Sequence, residues 1–552
     1  MIMIMANTGG HYAWQFVCSK TGALVAGLLA IKILLLLRHL ALPKPLPGIP
    51  YNQDSARRLL GDIPLMKAAP YRRHWTWSQP YVHNSPLAQV FLIPFRRPQV
   101  VLSDPREVID ICSRRTSEFD RGHRTRDIIG VTAPKFHFGM ESRDKSLRFH
   151  KELIRDLMAP KFLNESRGRP FEASHDLYLA ALDTICSVAF GLEDEKTSLR
   201  QQLAHTEPQT PQMSLANTAI PASFTSASLD SELEALLDIP EMMATAQRNP
   251  FPWLAQRLRL LRPRHAKAMW FRKKLIWEET KKSLKKLTER GEVSKTCALD
   301  HLIWREMLSA RRAGREPDFY SPVIRDETLG FLLGGHDSTA TVLSWWVKYM
   351  ALFPKYQALL RLRLRQAHAE AHLEERRPTV EEIVSASVPC LDAVIEETLR
   401  VASVATLVVR VSTCDTQILG YPIPEGTNVI MALTGPSLTT PSLPCIPLNK
   451  SAGTPPPWND ADIQQFRPER WLRHLADGGE VFDAKAGLNL AFSAGPRACF
   501  GKRLAYLQLK IAATLLIWSF DFNEVRGAEA GTEVKEKLFN LPKNCFVNLR
   551  KL

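Results

Sequence analysis

Cysteine is scarce in this 552-residue chain: nine residues, irregularly spaced. No Cys-x-x-Cys pair occurs, which excludes a disulfide framework and leaves the thiols reduced, as on a cytosolic face. No clean linker separates two independent cores, although the length alone would allow several domains. Long apolar runs are missing too, except one, Thr21 to Leu37, broken only by Lys32. No small-x-small cleavage site precedes the prolines that follow it, so an uncleaved anchor is preferred over a signal peptide or a buried helix. Acidic residues are the minority, 57 against 72 Lys and Arg, for a formal charge of +15. The excess peaks between Arg257 and Lys286, with twelve basic residues against Glu278 and Glu279. No nucleic-acid-binding pattern lies there. Trp253, Trp270, Phe271 and Trp277 between the charges suit a membrane surface better, with a solvated helix face as the plain alternative.

What is present begins with Phe492–Gly501, Phe-Ser-Ala-Gly-Pro-Arg-Ala-Cys-Phe-Gly. Cys499 sits in a glycine-punctuated loop followed by a helix-like run, Leu504 to Phe520. Gly495 and Gly501 give turn freedom and let a flat cofactor approach. A helix onset just beyond the sulfur favours thiolate, and Arg497 is placed to pair with an anionic cofactor group.

This loop resembles the cysteine-ligand loop of the cytochrome P-450 family, the haem-thiolate monooxygenases. Phe492, Gly495, Arg497, Cys499 and Gly501 meet its pattern. Three further stretches, in order, resemble the same family. Gly334-Gly335-His336-Asp337-Ser338-Thr339 lies within a proline-free helical run from Asp326 to Ala351. Glu397-Thr-Leu-Arg400 lies on a helix read from Thr379 to Val401. Phe466-Arg-Pro-Glu-Arg-Trp471 follows.

The resemblance runs from about residue 43 to the end. It implies a mainly α fold with a small β-sheet region and a single catalytic domain, residues 51–552, behind an N-terminal tail (1–20), a transmembrane anchor helix (21–40) and a proline-rich hinge (41–50). Positive charge after the anchor, Arg38 and Lys44, places the catalytic part in the cytosol, and the implied site is the endoplasmic reticulum membrane, crossed once.

The implied cofactor is haem b (iron protoporphyrin IX) with Cys499 thiolate as axial metal ligand, and NADPH as electron source through a flavoprotein reductase that would dock near Lys502 and Arg503. Arg497, Arg410 and, in the preferred register of a basic helix from Lys145 to Phe162, Lys151 would hold the propionates, with Leu147 where Trp is usual and Arg155 a turn further on. Phe492 and Gly501 complete the cofactor loop. Asp337, Ser338 and Thr339 would deliver protons; Ser338 keeps a hydroxyl where Thr is usual, which bears on coupling more than on the reaction. Glu397, Arg400 and Arg470 would form a buried structural cluster. His336 reads as a packing or surface residue rather than a ligand.

Other expectations are local. Gln99–Leu102, Thr406–Ser412 and Asn428–Ala432 read as strands, with Gly420–Thr427 as a turn pair. Asp104–Ser113 and Leu177–Phe190 read as helices, the second capped by Gly191. Residues 120–140 show no period, 201–231 read as a mobile insertion, and Leu538–Leu552 as a terminal hairpin. The implied substrate is a lipophilic small molecule, and the divergent helix after residue 140 is similar to fungal members that tailor terpenoid- or polyketide-like metabolites. Two other readings stay open: a haem-thiolate isomerase or dehydratase without reductase, and a membrane haem-binding protein without turnover.

Overall fold

The structure, a computed structural model, describes residues 20–93, 96–142, 171–191, 197–206, 228–249, 251–290, 295–443, 455–476 and 478–552. The expected helix at 145–162, and with it Lys151, lies outside them, as does most of the 201–231 segment (207–227).

Helix α1, Lys20–Ala41, carries Leu24, Leu28, Leu29, Ile31 and Leu35 exposed along its length. Among the described residues no helix is long and apolar enough to cross a membrane. After the proline-rich stretch come a short helix α2, Arg72–Trp77, and strands β1, Leu87–Val90, and β2, Gln99–Leu102. Helix α3, Pro105–Ser113, starts where Asp104 accepts the backbone N–H groups of Arg106 (2.9 Å) and Glu107 (3.0 Å), with Pro105 in the first turn.

Strand β3, Phe119–Asp120, then leads into helix α4, His123–Ile129. The 120–140 stretch therefore holds a helix that its lack of period concealed: seven residues are two turns, too few for a stripe to show. Strand β4, Phe171–Glu172, precedes α5, Ser174–Phe190, which ends on Gly191 at φ 68°. Helices α6, Ser231–Gln247, α7, Pro252–Leu260, and α8, Pro263–Arg290, pack on one another. Arg272 of α8 is fully buried against α6, and among the described residues its guanidinium meets the Ala235 carbonyl (3.4 Å) and the sulfurs of Met242 and Met269.

Helix α9, Pro322–Leu352, runs 31 residues through the middle and is buried on nearly every side. Such a helix shows little amphipathic stripe because it is buried on all sides, its polar residues Asp326, Glu327, His336 and Asp337 included. Two of its glycines let neighbours close in, and a third does not. A Cβ on Gly330 would fall 2.2 Å from the Phe136 ring, and one on Gly335 2.3 Å from Ile185 Cδ1 of α5. One on Gly334 would meet nothing within 4 Å.

The single helix expected from Thr379 to Val401 is two: α10, Val380–Ser385, and α11, Pro389–Ala402. Pro389 forces the break, because Val388 before it must be extended (φ −128°, ψ 83°). Strands β5, Leu407–Ser412, and β6, Thr416–Ile418, follow, then β7, Tyr421–Ile423, and β8, Asn428–Ala432. The supposed turn pair thus contains a strand, β7, paired with β6. The main sheet has the order β1-β2-β8-β5-β3, with β2 and β8 parallel.

Helix α12, Lys502–Ser519, follows the cysteine loop and runs into β9, Phe520–Asn523. The terminal segment is not one hairpin. Strands β10, Val534–Glu536, and β11, Asn540–Pro542, form a hairpin, whereas β12, Phe546–Lys551, pairs with β9 and β4. The core where α9, α11 and α12 meet centres on Trp346, Leu391 and Ile517.

Candidate active site

The loop before α12 is shaped by two residues with positive φ, Ser493 (58°) and Gly495 (73°). Gly495 is required twice over, since a Cβ there would also sit 1.9 Å from the Cys112 carbonyl of α3. Gly501 has an ordinary φ of −81°. Its turn freedom is not used, and a Cβ at 501 would be in ordinary contact with Cys499 Sγ, 4.0 Å away. The Phe492 carbonyl accepts the Cys499 N–H (2.9 Å), and Lys502 lies over the Phe492 ring.

The Cys499 thiol is open to solvent-sized contact on one side while protein surrounds it on the others. Burial pushes its pKa up; the Gly501 backbone N–H and the Lys502 charge pull the other way and do not win. Helix onset alone therefore does not make this sulfur a thiolate. A metal cation does. Among the described residues no group of three or more His, Cys, Asp or Glu could hold a metal ion. A metal at Cys499 must bring its other ligands with it, as haem iron does.

Three arginines from distant parts of the chain converge beside this loop. Arg497 donates to the carbonyls of Met140 (2.7 Å) and His137 (3.3 Å). Arg121 stacks on Phe138 and reaches the Arg497 carbonyl (3.4 Å). Arg410, on β5, donates to its neighbour's carbonyl at Val409 (3.0 Å). All three are buried. Burial depresses the pKa of Arg121 and Arg497; Arg410 pushes both further down, and Arg497 does the same to Arg121. Asp120 is the one acid acting on both of them. Among the described residues, three guanidiniums against one carboxylate leave two positive charges in excess. Haem b carries two propionates, so the charge of the donor set fits that cofactor.

On α9 the three adjacent residues Asp337, Ser338 and Thr339 diverge. Ser338 donates to the Gly334 carbonyl (2.7 Å), and these two residues, one turn apart, share the open face. Thr339 is buried and donates to Gln508 Oε1 of α12 (3.2 Å), on the wall of a separate cavity of about 60 Å³ between α5, α9 and α12. Asp337 is 3 % exposed, and its Oδ2 has no hydrogen-bond partner. Burial pushes its pKa up to about 7, opposed by the charges of Lys537 and Arg73. His336 packs: Nδ1 donates to the Leu332 carbonyl (2.7 Å), Nε2 accepts from Tyr178 (3.1 Å), and burial pulls its pKa down to about 4.

Glu397, fully buried on α11, accepts two bonds from Arg400 (2.8 and 2.9 Å) and one from Arg470 (3.1 Å). It also accepts the Arg467 N–H (2.8 Å) and Trp471 Nε1 (2.9 Å). Asp462 balances the second arginine, Arg470, at 3.3 Å. Sequence reading missed Asp462, Arg121, Asp120 and Gln508. Each is a common residue that nothing local marks, Gln508 on a helix that the sequence does show, and only the fold brings it to its partners.

Comparison with known proteins gives the same chemistry a family. The Cytochrome P-450 family profile matches residues 114–437 and 455–549. The chain is similar to the cytochrome P-450 monooxygenase TRI13 of Fusarium sporotrichioides, 31% identical over 95% of this chain and 98% of that protein. It is similar also to the cytochrome P-450 monooxygenase GME11363 of Pestalotiopsis microspora, 32% identical over 96% and 98%. The monooxygenase xilC of Penicillium crustosum is 30% identical over 93% of each chain.

Proposed function

Because the chain belongs to the cytochrome P-450 family and is a monooxygenase of it, we propose that it inserts one oxygen atom of O2 into a lipophilic small molecule during secondary-metabolite biosynthesis, a terpenoid- or polyketide-like compound, with electrons from NADPH through a flavoprotein reductase. The observation that carries this reading is the excess of two buried positive charges beside an open thiol. Haem, when bound, supplies the activation of dioxygen. The chain supplies the rest. Cys499 is the metal ligand, and Arg121, Arg410 and Arg497 hold the propionates. Lys151, outside the described residues, remains a fourth candidate. Gly334 leaves the face of α9 bare where Ser338 opens, which admits a bulky apolar molecule. Ser338 Oγ, back-bonded to Gly334, keeps its lone pairs for a water. Asp337, with a pKa near neutrality, is matched to giving and taking protons at physiological pH. This acid and hydroxyl favour oxygen insertion over rearrangement or dehydration.

The proposed location is the endoplasmic reticulum membrane, with residues 21–40 as the anchor and the catalytic domain in the cytosol. The exposed leucines of α1 support contact with lipid, although among the described residues no helix, α1 included, is long and apolar enough to cross a membrane. So does a second apolar patch on and beside α7, where Phe251, Trp253, Leu254, Leu258 and Leu261 are exposed and Arg257 stacks on Trp253. Lys502 and Arg503, exposed beside the cysteine loop, offer an acidic reductase its contact.

The test is the carbon monoxide difference spectrum of the reduced protein beside Cys499→Ala. A Soret band at the thiolate position, lost in the variant, is the expected result. A histidine-like band in the unmodified protein, or no haem bound, refutes the reading.

A further inference from the structure

One side chain of α11 holds the cysteine loop from behind. Glu396 is 6 % exposed and is the chain neighbour of Glu397, yet the two carboxylates serve different parts of the fold. Glu397 takes the Arg400 and Arg470 guanidiniums. Successive residues of a helix point about 100° apart, and Glu396 faces the cysteine loop instead. Its Oε1 accepts Asn489 Nδ2 (2.9 Å), and its Oε2 accepts the Tyr506 hydroxyl. Asn489 lies ten residues before Cys499, and Tyr506, on α12, seven residues after it. A single carboxylate therefore ties the two ends of the loop to each other.

Contacts continue inward from both ends. Asn489 Oδ1 accepts the Ala491 N–H (2.9 Å), which fixes the chain as it enters the loop. The Tyr506 ring packs on the Phe492 ring, their centroids 5.4 Å apart. Lys502 lies over the same pair, 5.7 Å from the Phe492 ring and 5.6 Å from the Tyr506 ring. The Phe492 carbonyl accepts the Cys499 N–H (2.9 Å), and the Gly501 N–H is directed at the Cys499 sulfur. An unbroken set of contacts thus runs from Glu396 through Tyr506 and Phe492 to Cys499.

We propose that Glu396 and Tyr506 are positioning residues for the metal ligand: with Asn489 they hold the loop so that the Gly501 N–H stays on the Cys499 sulfur, and they thereby set the reduction potential of the haem bound there. The inference rests on the haem-thiolate reading above. An N–H donated to a thiolate draws electron density from the sulfur, which then gives less to the metal and makes the reduced state easier to reach. Release of either end of the loop slackens that bond, and the potential falls. Both ends hang on the same carboxylate, so losing one already frees the loop and losing the second adds little.

The experiment is a spectroelectrochemical titration of the full-length, haem-loaded protein, with the carbon monoxide difference spectrum recorded on every variant. Tyr506→Phe removes one hydroxyl and keeps the ring on Phe492. Asn489→Ala, at a partly exposed position, releases the other end and gives the answer independently. Each is expected to keep the thiolate Soret band and to lower the midpoint, so that the reduced fraction at a fixed potential drops several-fold. The double variant falls no further than the larger of the two singles. In a Glu396→Ala background Tyr506→Phe changes nothing more, which an action not routed through Glu396 would not produce. A midpoint unmoved or raised in Tyr506→Phe overturns the proposal, as does a double variant that falls by the sum of the singles. The two failures are distinct. A thiolate band with an unmoved midpoint sinks the positioning role alone, whereas no haem, or a histidine-like band, in the unmodified protein sinks the haem-thiolate reading and this inference with it.

Discussion

Gly334 and Gly335 are adjacent in α9, yet replacing each with alanine has opposite consequences. Alanine is about 1 kcal/mol better than glycine inside a helix. At position 334 a Cβ meets nothing within 4 Å, so Gly334→Ala stabilises the protein by about that amount. At position 335 the Cβ lies 2.3 Å from Ile185 Cδ1 and 2.6 Å from Cγ1. Both atoms belong to a fully buried side chain between α5 and α9. Overpacking of this kind costs about 1–3 kcal/mol and cancels or reverses the helix gain. The collision ends at Ile185 Cβ, which stays 3.4 Å away. Ile185→Ala alone opens a cavity at a cost of about 2–5 kcal/mol. Combined with Gly335→Ala, part of that cavity is filled, and the double variant is more stable than the sum of the singles by about 1 kcal/mol or more. The assay is urea unfolding followed by tryptophan fluorescence, with Trp345 and Trp346 buried in the same helix as reporters. Equal effects at 334 and 335, or strict additivity of Gly335→Ala with Ile185→Ala, would refute the packing argument.

Glu397→Gln leaves the buried Arg400 and Arg470 with only Asp462 as counter-charge; a loss of about 3–5 kcal/mol in urea unfolding is expected, with reduced haem content after gel filtration. Arg272→Met, which replaces a buried guanidinium that meets a carbonyl and two sulfurs, is expected to be neutral or stabilising by about 1–4 kcal/mol in the same assay. Arg410→Met removes one of the three clustered guanidiniums and lowers haem occupancy several-fold while leaving the far-ultraviolet circular dichroism unchanged. The folded-state pKa of Asp337 is raised, so the folded protein holds the extra proton between 3.8 and about 7, and stability falls as pH rises through that window. His336 is lowered from 6.5 to about 4 and acts in the opposite sense, its contribution being lost as pH falls through that range. Asp337→Asn should therefore lose less stability than the unmodified chain between pH 5 and 7, measured by urea midpoints.

Strands and helices with a strong local signal were legible. Gln99–Leu102 and Asn428–Ala432 match their expected bounds, because β-branched and apolar runs bounded by turn residues carry the whole signal. Helix α9 was legible for the reason that it is buried: a long apolar run without internal proline has few other fates. Where local signals failed, a longer-range constraint had taken over. The break at Pro389 overrode a continuous helical pattern. The last strand left its neighbouring hairpin because β9 and β4 offered it two edges. At the site, Glu397 and Arg400 share a helix face by spacing alone, so their pairing was readable. Asp462, which balances Arg470, was not, since nothing local marks it. Arg121 and Arg497 show the same contrast: one lies in a loop with a recognisable pattern, the other is one arginine among several.

The arginine cluster also bears on the life of the chain in the cell. Residues 121, 410 and 497 must be brought together against their own repulsion before the domain can close, and each depresses or crowds another when nothing anionic lies between them. Whatever neutralises that charge binds the closed form and not the open chain, and so adds to its stability in proportion to the logarithm of its concentration. For a protein of ordinary marginal stability, that term decides how much of it escapes proteolysis. Cellular abundance of the protein should therefore follow haem supply even when transcript levels do not change.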